Sequence, residues 1–151
     1  MTRGELIQFL RAQPWAVEAS VNGRGEPEAA VVGVASTDRF ELVFDTLSAS
    51  RKAANLRANP RIALVIGWDD GQTVQIEGLV DEPGGDELLR LKDVYLRRFP
   101  DGHERSALAG IAYFRVSAEW IRYSDFRSTP PTMIVFDADG LQRSFEARDA
   151  Q

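Results

Sequence analysis

Thr46-Leu-Ser-Ala-Ser-Arg-Lys-Ala-Ala-Asn-Leu-Arg-Ala-Asn-Pro-Arg61 is the stretch that decides how the chain is read. It lies between two apolar segments. Phe40–Phe44 before it, with Leu42, Val43 and Phe44, has strand character, and Ile62–Trp68 after it is rich in β-branched residues. Between them the spacing predicts a short helix. Ser48 or Ser50 can cap its start, and Asn59-Pro60 stops it, because the residue before a proline avoids helical backbone angles. Ala53 and Leu56, with Ala49, share one helix face. Arg51 and Lys52 fall in the first turn, where the helix dipole opposes cations. Free backbone N–H groups, the hydroxyls of Thr46, Ser48 and Ser50, and two positive charges together suit an anion such as a phosphate. From the spacing alone, ordinary capping beside two solvated basic residues reads equally well.

Toward the N-terminus, residues 1–13 hold an amphipathic helix. Thr2 caps it, Glu5 completes a capping box, Leu6, Phe9 and Leu10 line one face, and Pro14 ends it. Trp15–Val21 and Glu28–Ala35 read as strands joined through Asn22-Gly23-Arg24-Gly25, a strong hairpin turn. With Phe40–Phe44 they make three strands in hairpin succession, which predicts an antiparallel meander or barrel. Ile62–Trp68 is apolar on both faces. One face should line a barrel interior, and the other needs a helix or a second subunit as cover. In Thr73–Asp81, Val74, Ile76 and Val80 alternate with Thr73, Gln75 and Glu77, and Gly78 marks a close approach of a strand or a ligand. Pro83–Phe99 predicts the longest helix, with Leu88, Leu91, Tyr95 and Phe99 as its core stripe and Arg90, Lys92, Arg97 and Arg98 outward and solvated. Asp101–Glu104 reads as a loop. Leu108–Val116 and Glu119–Tyr123 are the last barrel strands, Met133–Phe136 an edge strand, and residues 138–151 a loose charged tail.

The length of 151 residues suits one domain, residues 1–151, with a core of its own. The absence of cysteine rules out disulfides, thiolate catalysis and cysteine-ligated metals, and it suits the cytoplasm. With a single histidine, no metal site is expected. A net charge of −5 argues against nucleic acid as a partner. No apolar run is long enough to cross a membrane, and the N-terminus has no signal pattern. His103, with acidic neighbours, reads as a surface residue. Asp69-Asp70 reads as a turn, and the glycines at 23 and 25 lie between strands, not in a dinucleotide fingerprint.

Strand, Thr46-x-x-x-Ser50-Arg51-Lys52, short helix, Asn59-Pro60 and buried strand together resemble the FMN-binding core of the pyridoxamine 5′-phosphate oxidase-like split-barrel family. Gln75-Ile76-Glu77-Gly78 and Trp120-Ile121-Arg122-Tyr123-Ser124-Asp125 extend the resemblance over roughly Val17 to Asp125. It implies a mainly β fold, an antiparallel split β-barrel with three flanking helices, working as a homodimer with FMN at the interface. It also implies an oxidoreductase that transfers hydride or electrons through the flavin to a small-molecule substrate. Ser50, Arg51 and Lys52 would hold the FMN phosphate, with Thr46 as helper. The backbone of Ala30, Val31 and Val32 would lie against the ring, Gln75 and Glu77 would stand beside it, and Trp120 and Arg122 would meet its edge. Trp120 and Arg122 read equally well as interface anchors. Two departures count against oxidation of pyridoxamine phosphate itself. The second strand has Ala29-Ala30-Val31-Val32 where those oxidases carry an arginine, and their C-terminal substrate-gripping motif is missing. A deazaflavin on the same fold, or a non-enzymatic flavin-binding module, are the alternatives. No residue stands out as a catalytic acid or base.

Overall fold

The computed structural model describes residues 1–108 and 110–137, so the predicted tail at 138–151 lies outside the described residues. Thr2 and Glu5 form the capping box of α1 (Arg3–Ala12), which satisfies two backbone donors that a helix start leaves free. Leu6, Ile7 and Leu10 are its buried residues. β1 (Trp15–Val21) and β2 (Pro27–Gly33) form the hairpin, and Gly25 takes a φ of 75°, the left-handed value such a turn requires.

The predicted strand at 28–35 breaks at Val34, whose N–H donates to the Pro14 carbonyl. The chain continues as β3 (Ala35–Ser36), which pairs with β4 (Glu41–Leu47). The strand order is β2-β1-β5-β6-β7-β4-β3, so one bent run joins the two ends of the sheet and closes it into a barrel. Closure is incomplete. Among the described residues β2 pairs only with β1, and β4 beyond Val43 pairs only with β7. The split left between them is bridged by α2 (Arg51–Ala58), which bonds to Thr46 of β4 through Ser50 and to Ser20 and Glu28 through Asn55. Ala53 and Leu56 are its buried apolar residues, whereas Ala49 is exposed.

β5 (Arg61–Ile66) and β6 (Gln72–Asp81) continue the sheet. After α3 (Gly85–Arg98) comes a fourth helix, α4 (Gly102–Ser106), where the sequence predicts a loop. β7 (Ile111–Asp125) is one long strand and not the predicted two, and β8 (Thr132–Asp137) pairs with its second half. The register of β6 against β7 shifts between Glu77 and Gly78. A Cβ on Gly78 would lie 2.2 Å from the Ser117 carbonyl oxygen, so the close approach here is by a strand. The result is a mainly antiparallel β barrel, split on one side, with flanking helices. No helix among the described residues is long and apolar enough to cross a membrane.

Phe44 and Phe114 stack inside the barrel with centroids 5.6 Å apart, among Leu64, Ile66, Ile76 and Ile121. A second cluster of Val43, Leu91, Tyr95, Leu96 and Tyr113 seats α3 on the outer side of β4 and β7. Arg90 is not solvated as its helix position predicts. Its guanidinium is half-buried and donates to Glu41 at 2.9 and 3.0 Å and to Glu87 at 2.9 and 3.2 Å. Arg115 joins the same network through Glu41, Glu87 and Asp81.

Burial raises the Glu41 carboxyl pKa, but hydrogen bonds and charge from Arg90, helped by Thr37 and Arg115, outweigh it, and the net shift is downward from 4.5. Glu87 is lowered too, chiefly by its hydrogen bond from Arg90. A carboxylate depressed in this way contributes stability above its unfolded pKa, and that contribution is lost as pH falls through its folded pKa. The melting temperature should therefore drop as pH is lowered below about 4.5. Glu41→Gln should melt lower at neutral pH yet lose less on acidification, a comparison that thermal unfolding across pH checks.

Candidate anion and cofactor site

The start of α2 meets the barrel rim at the split. Ser50, not Ser48, is the N-cap, and its Oγ accepts from the Ala53 N–H at 3.2 Å. Ser48 is taken up by Arg57, which donates to its hydroxyl and its carbonyl. Ser50 Oγ lies 3.1 Å from Thr46 Oγ1, and Lys52 Nζ donates to Thr46 Oγ1 at 3.4 Å. Thr46, Ser50 and Lys52 thus form one chain of polar contacts.

Arg51 turns to the other side of the split and pairs with Glu28 of β2, its own side chain 81% exposed. Glu28 also accepts from Asn55 Nδ2 at 2.8 Å, and Asn55 reaches the Ser20 hydroxyl at 3.2 Å. The Asn55 bond first, and then Arg51, hold the Glu28 carboxyl below its usual pKa against the effect of burial. The conflict predicted from two cations at a helix start is therefore answered in part by the chain itself, which supplies a carboxylate to Arg51. Lys52 contacts a hydroxyl instead.

A cavity of about 250 Å³ opens here, lined by Glu18, Glu28, Ala29, Ala30, Arg51 and Lys52. Sequence reasoning missed Glu18. It is 1% exposed, and its Oε2 has no hydrogen-bond partner. Burial raises its pKa, the charge of Lys52 opposes the rise, and Glu28 adds to it. The available signal was a lone carboxylate in the alternating strand Trp15-Ala-Val-Glu-Ala-Ser-Val21, in phase with Ala16 and Ser20.

The other predicted residues stand on a different wall. Residues opposite one another in an antiparallel ladder share a face. Val31, Val17, Val65, Gln75, Arg122 and Val135 form one such row, and Ala29, Ala19, Ala63, Glu77 and Trp120 form the next. Arg122 donates to Gln75 Oε1 at 2.7 Å, its guanidinium lies 5.7 Å from the Trp120 ring centroid, and its Nε is buried without a partner. A larger cavity, about 390 Å³, borders Ala19, Asn59, Arg61, Ala63, Glu77 and Gly78 on this face. Val31 is 63% exposed here, whereas Val32 belongs to the core at 5%. Within one chain, then, Thr46, Ser50, Arg51, Lys52 and Ala30 gather at the split. Val31, Gln75, Glu77, Trp120 and Arg122 lie along the outer wall. Among the described residues no group of three or more His, Cys, Asp or Glu side chains could hold a metal ion.

Residues 2–125 match the family model described as pyridoxamine 5′-phosphate oxidase. The chain is 33% identical over 120 residues to the pyridoxine/pyridoxamine 5′-phosphate oxidase of Bordetella avium, a match covering 75% of this chain and 55% of that protein. The chain spans about half the length of the curated relatives it matches. Among solved structures it is similar to a haem-binding protein from Mycobacterium smegmatis, with a TM-score of 0.80 and 15% identity, covering 93% of this chain and 60% of that one. It is also similar to a pyridoxamine 5′-phosphate oxidase-related, FMN-binding protein from Nostoc punctiforme, with a TM-score of 0.67 and 11% identity, covering 89% and 87%. At these identities the two structural likenesses concern the fold.

Proposed function

The chain belongs to the pyridoxamine 5′-phosphate oxidase family, and from that premise we propose that it binds FMN and works as a flavin-dependent oxidoreductase on a small-molecule substrate. The observation that carries this reading is the contact chain Thr46–Ser50–Lys52 at the start of α2. It offers hydroxyls, an ammonium and backbone donors to a phosphate monoester. FMN would supply hydride and electron transfer. The protein's part is to hold the phosphate end and to orient the ring. Arg122, steadied by Gln75 and lying near Trp120, has a buried Nε free to donate toward an electron-rich ring edge.

One chain sets these two groups on different walls, so the reading includes a homodimer in which one copy brings the α2 cluster and the other the outer wall. The apolar rows through Val31, Val17 and Val65 supply a surface on which two copies can meet. A deazaflavin, which also ends in phosphate-bearing groups, is the alternative cofactor. Haem, bound by the mycobacterial protein of similar fold, is less well supported: His103 is exposed on α4 and lines neither cavity.

Titrating the apoprotein with FMN, followed by flavin fluorescence, tests the reading. Saturable binding is expected, and binding of neither FMN nor a deazaflavin rejects it. Arg122→Ala should weaken FMN binding by about ten- to a hundredfold, the worth of one hydrogen bond from a charged donor. An unchanged affinity in that variant would remove Arg122 from the site.

A further inference from the structure

We propose that Glu18 sets the anion specificity of the split: the site accepts a phosphoryl group that shares a proton with the Glu18 carboxyl, and rejects anions such as sulfate that cannot carry one. This rests on the phosphate reading of the site and deepens it, because the cations alone do not distinguish one dianion from another.

Two cations, Arg51 and Lys52, and two carboxylates, Glu18 and Glu28, line the same cavity of about 250 Å³. Their formal charges cancel, so a dianion enters with no surplus positive charge to meet it. Glu28 has its charge met at the rim, by Asn55 Nδ2 at 2.8 Å and by an arginine that is itself 81% exposed. Glu18 has no such pairing among the described residues and cannot move. It is 1% exposed, on the inward face of β1, with Ala30 of β2 and Leu64 of β5 as its cross-strand neighbours. Its carboxyl therefore stays in place when the anion arrives.

A bare carboxylate beside a bare dianion in a poorly hydrated place is strongly unfavourable. One proton between them turns the repulsion into a charge-assisted hydrogen bond. Oε2 of Glu18 has no other partner to give up. The groups that face this carboxyl are Lys52 and Arg51 from α2 and Glu28 from β2, and the Lys52 charge opposes the rise in pKa that burial imposes. A phosphate monoester gives up its second proton near pH 6, so it can carry the shared proton at ordinary pH. Sulfate, the anion of a strong acid, cannot.

Calorimetric titration of the apoprotein with inorganic phosphate and with sulfate, at matched ionic strength, tests this directly. Wild type should bind phosphate about tenfold or more tighter than sulfate, with the advantage shrinking as pH rises. Glu18→Gln should bring the two anions to within about twofold of each other and flatten that pH dependence. Equal affinities in wild type, or an undiminished phosphate preference in E18Q, would overturn the proposal. Should E18Q fail to fold, titration of wild type near pH 8 in buffers of different ionisation enthalpy takes its place. Net proton uptake on phosphate binding is expected, and none would overturn it. If FMN binds while phosphate and sulfate displace it equally, the role of Glu18 fails and the FMN reading stands. If phosphate is preferred but FMN does not bind, the reverse holds.

Discussion

Replacing Arg51 and Lys52 together by alanine is expected to weaken FMN binding by about a hundred- to ten-thousandfold, which corresponds to two charge-assisted hydrogen bonds of about 1.5–3 kcal/mol each. The geometry divides the loss unequally. Lys52 is half-buried and directed to the Thr46 hydroxyl, while Arg51 is 81% exposed and already engaged with Glu28. An anion that recruits Arg51 must first displace that carboxylate, which lowers the net gain. Lys52→Ala alone should therefore account for more than half of the double-mutant effect. Neither side chain belongs to the core, so melting temperature should move little. Fluorescence titration that shows unchanged FMN affinity in the double variant would end the phosphate assignment.

Phe114→Ala should be the most damaging single truncation for stability. Phe114 is 1% exposed and stacks on Phe44, which is 0% exposed, at the middle of the β4–β7 ladder. Removing a buried phenyl ring costs about 3–5 kcal/mol, part lost transfer energy and part the cavity left behind. With urea slopes of about 1–3 kcal/mol/M for domains of this size, the unfolding midpoint should fall by more than about 1 M. Protein concentration has to be held constant, because any association adds to apparent stability. A loss below about 1 kcal/mol would mean that the rings do not share a filled interior.

The fold was largely legible in the sequence because its punctuation is local. Thr2 and Glu5, Ser50 and Asn59 do as caps what their side chains suggest, and Asn22–Gly25 turns the first hairpin. What escaped prediction depends on partners distant in the chain. Arg90 reads as solvated from its helix position alone because its acceptor Glu41 lies 49 positions away. β7 reads as two strands in sequence, and only its pairing with β4, β6 and β8 reveals one. α4 is five residues long and sits in a segment whose Asp and Gly signal a turn.

The site was only half legible, and β1 shows why. Its inward positions are Ala16, Glu18 and Ser20, while the more apolar Val17, Ala19 and Val21 face outward. The usual inference from alternation, apolar inside, points the wrong way on this strand. It therefore hid Glu18 and also hid the apolar character of the outer wall. The motif around Ser50–Lys52 found the α2 cluster, but no spacing rule could show that Arg51 would be met by a carboxylate from β2.

The incomplete pairing of β2 has a colloidal consequence. Among the described residues its backbone donors and acceptors are unmatched by any strand on the side toward the split, and such a margin is a template on which a foreign strand can add. Glu28 stands at the rim of that margin, already held by Asn55 and Arg51. A strand arriving from another molecule would have to displace Arg51 or strip the remaining water from this carboxylate. A charged residue at this edge thus works as a gatekeeper against strand addition while leaving the seam accessible to something small.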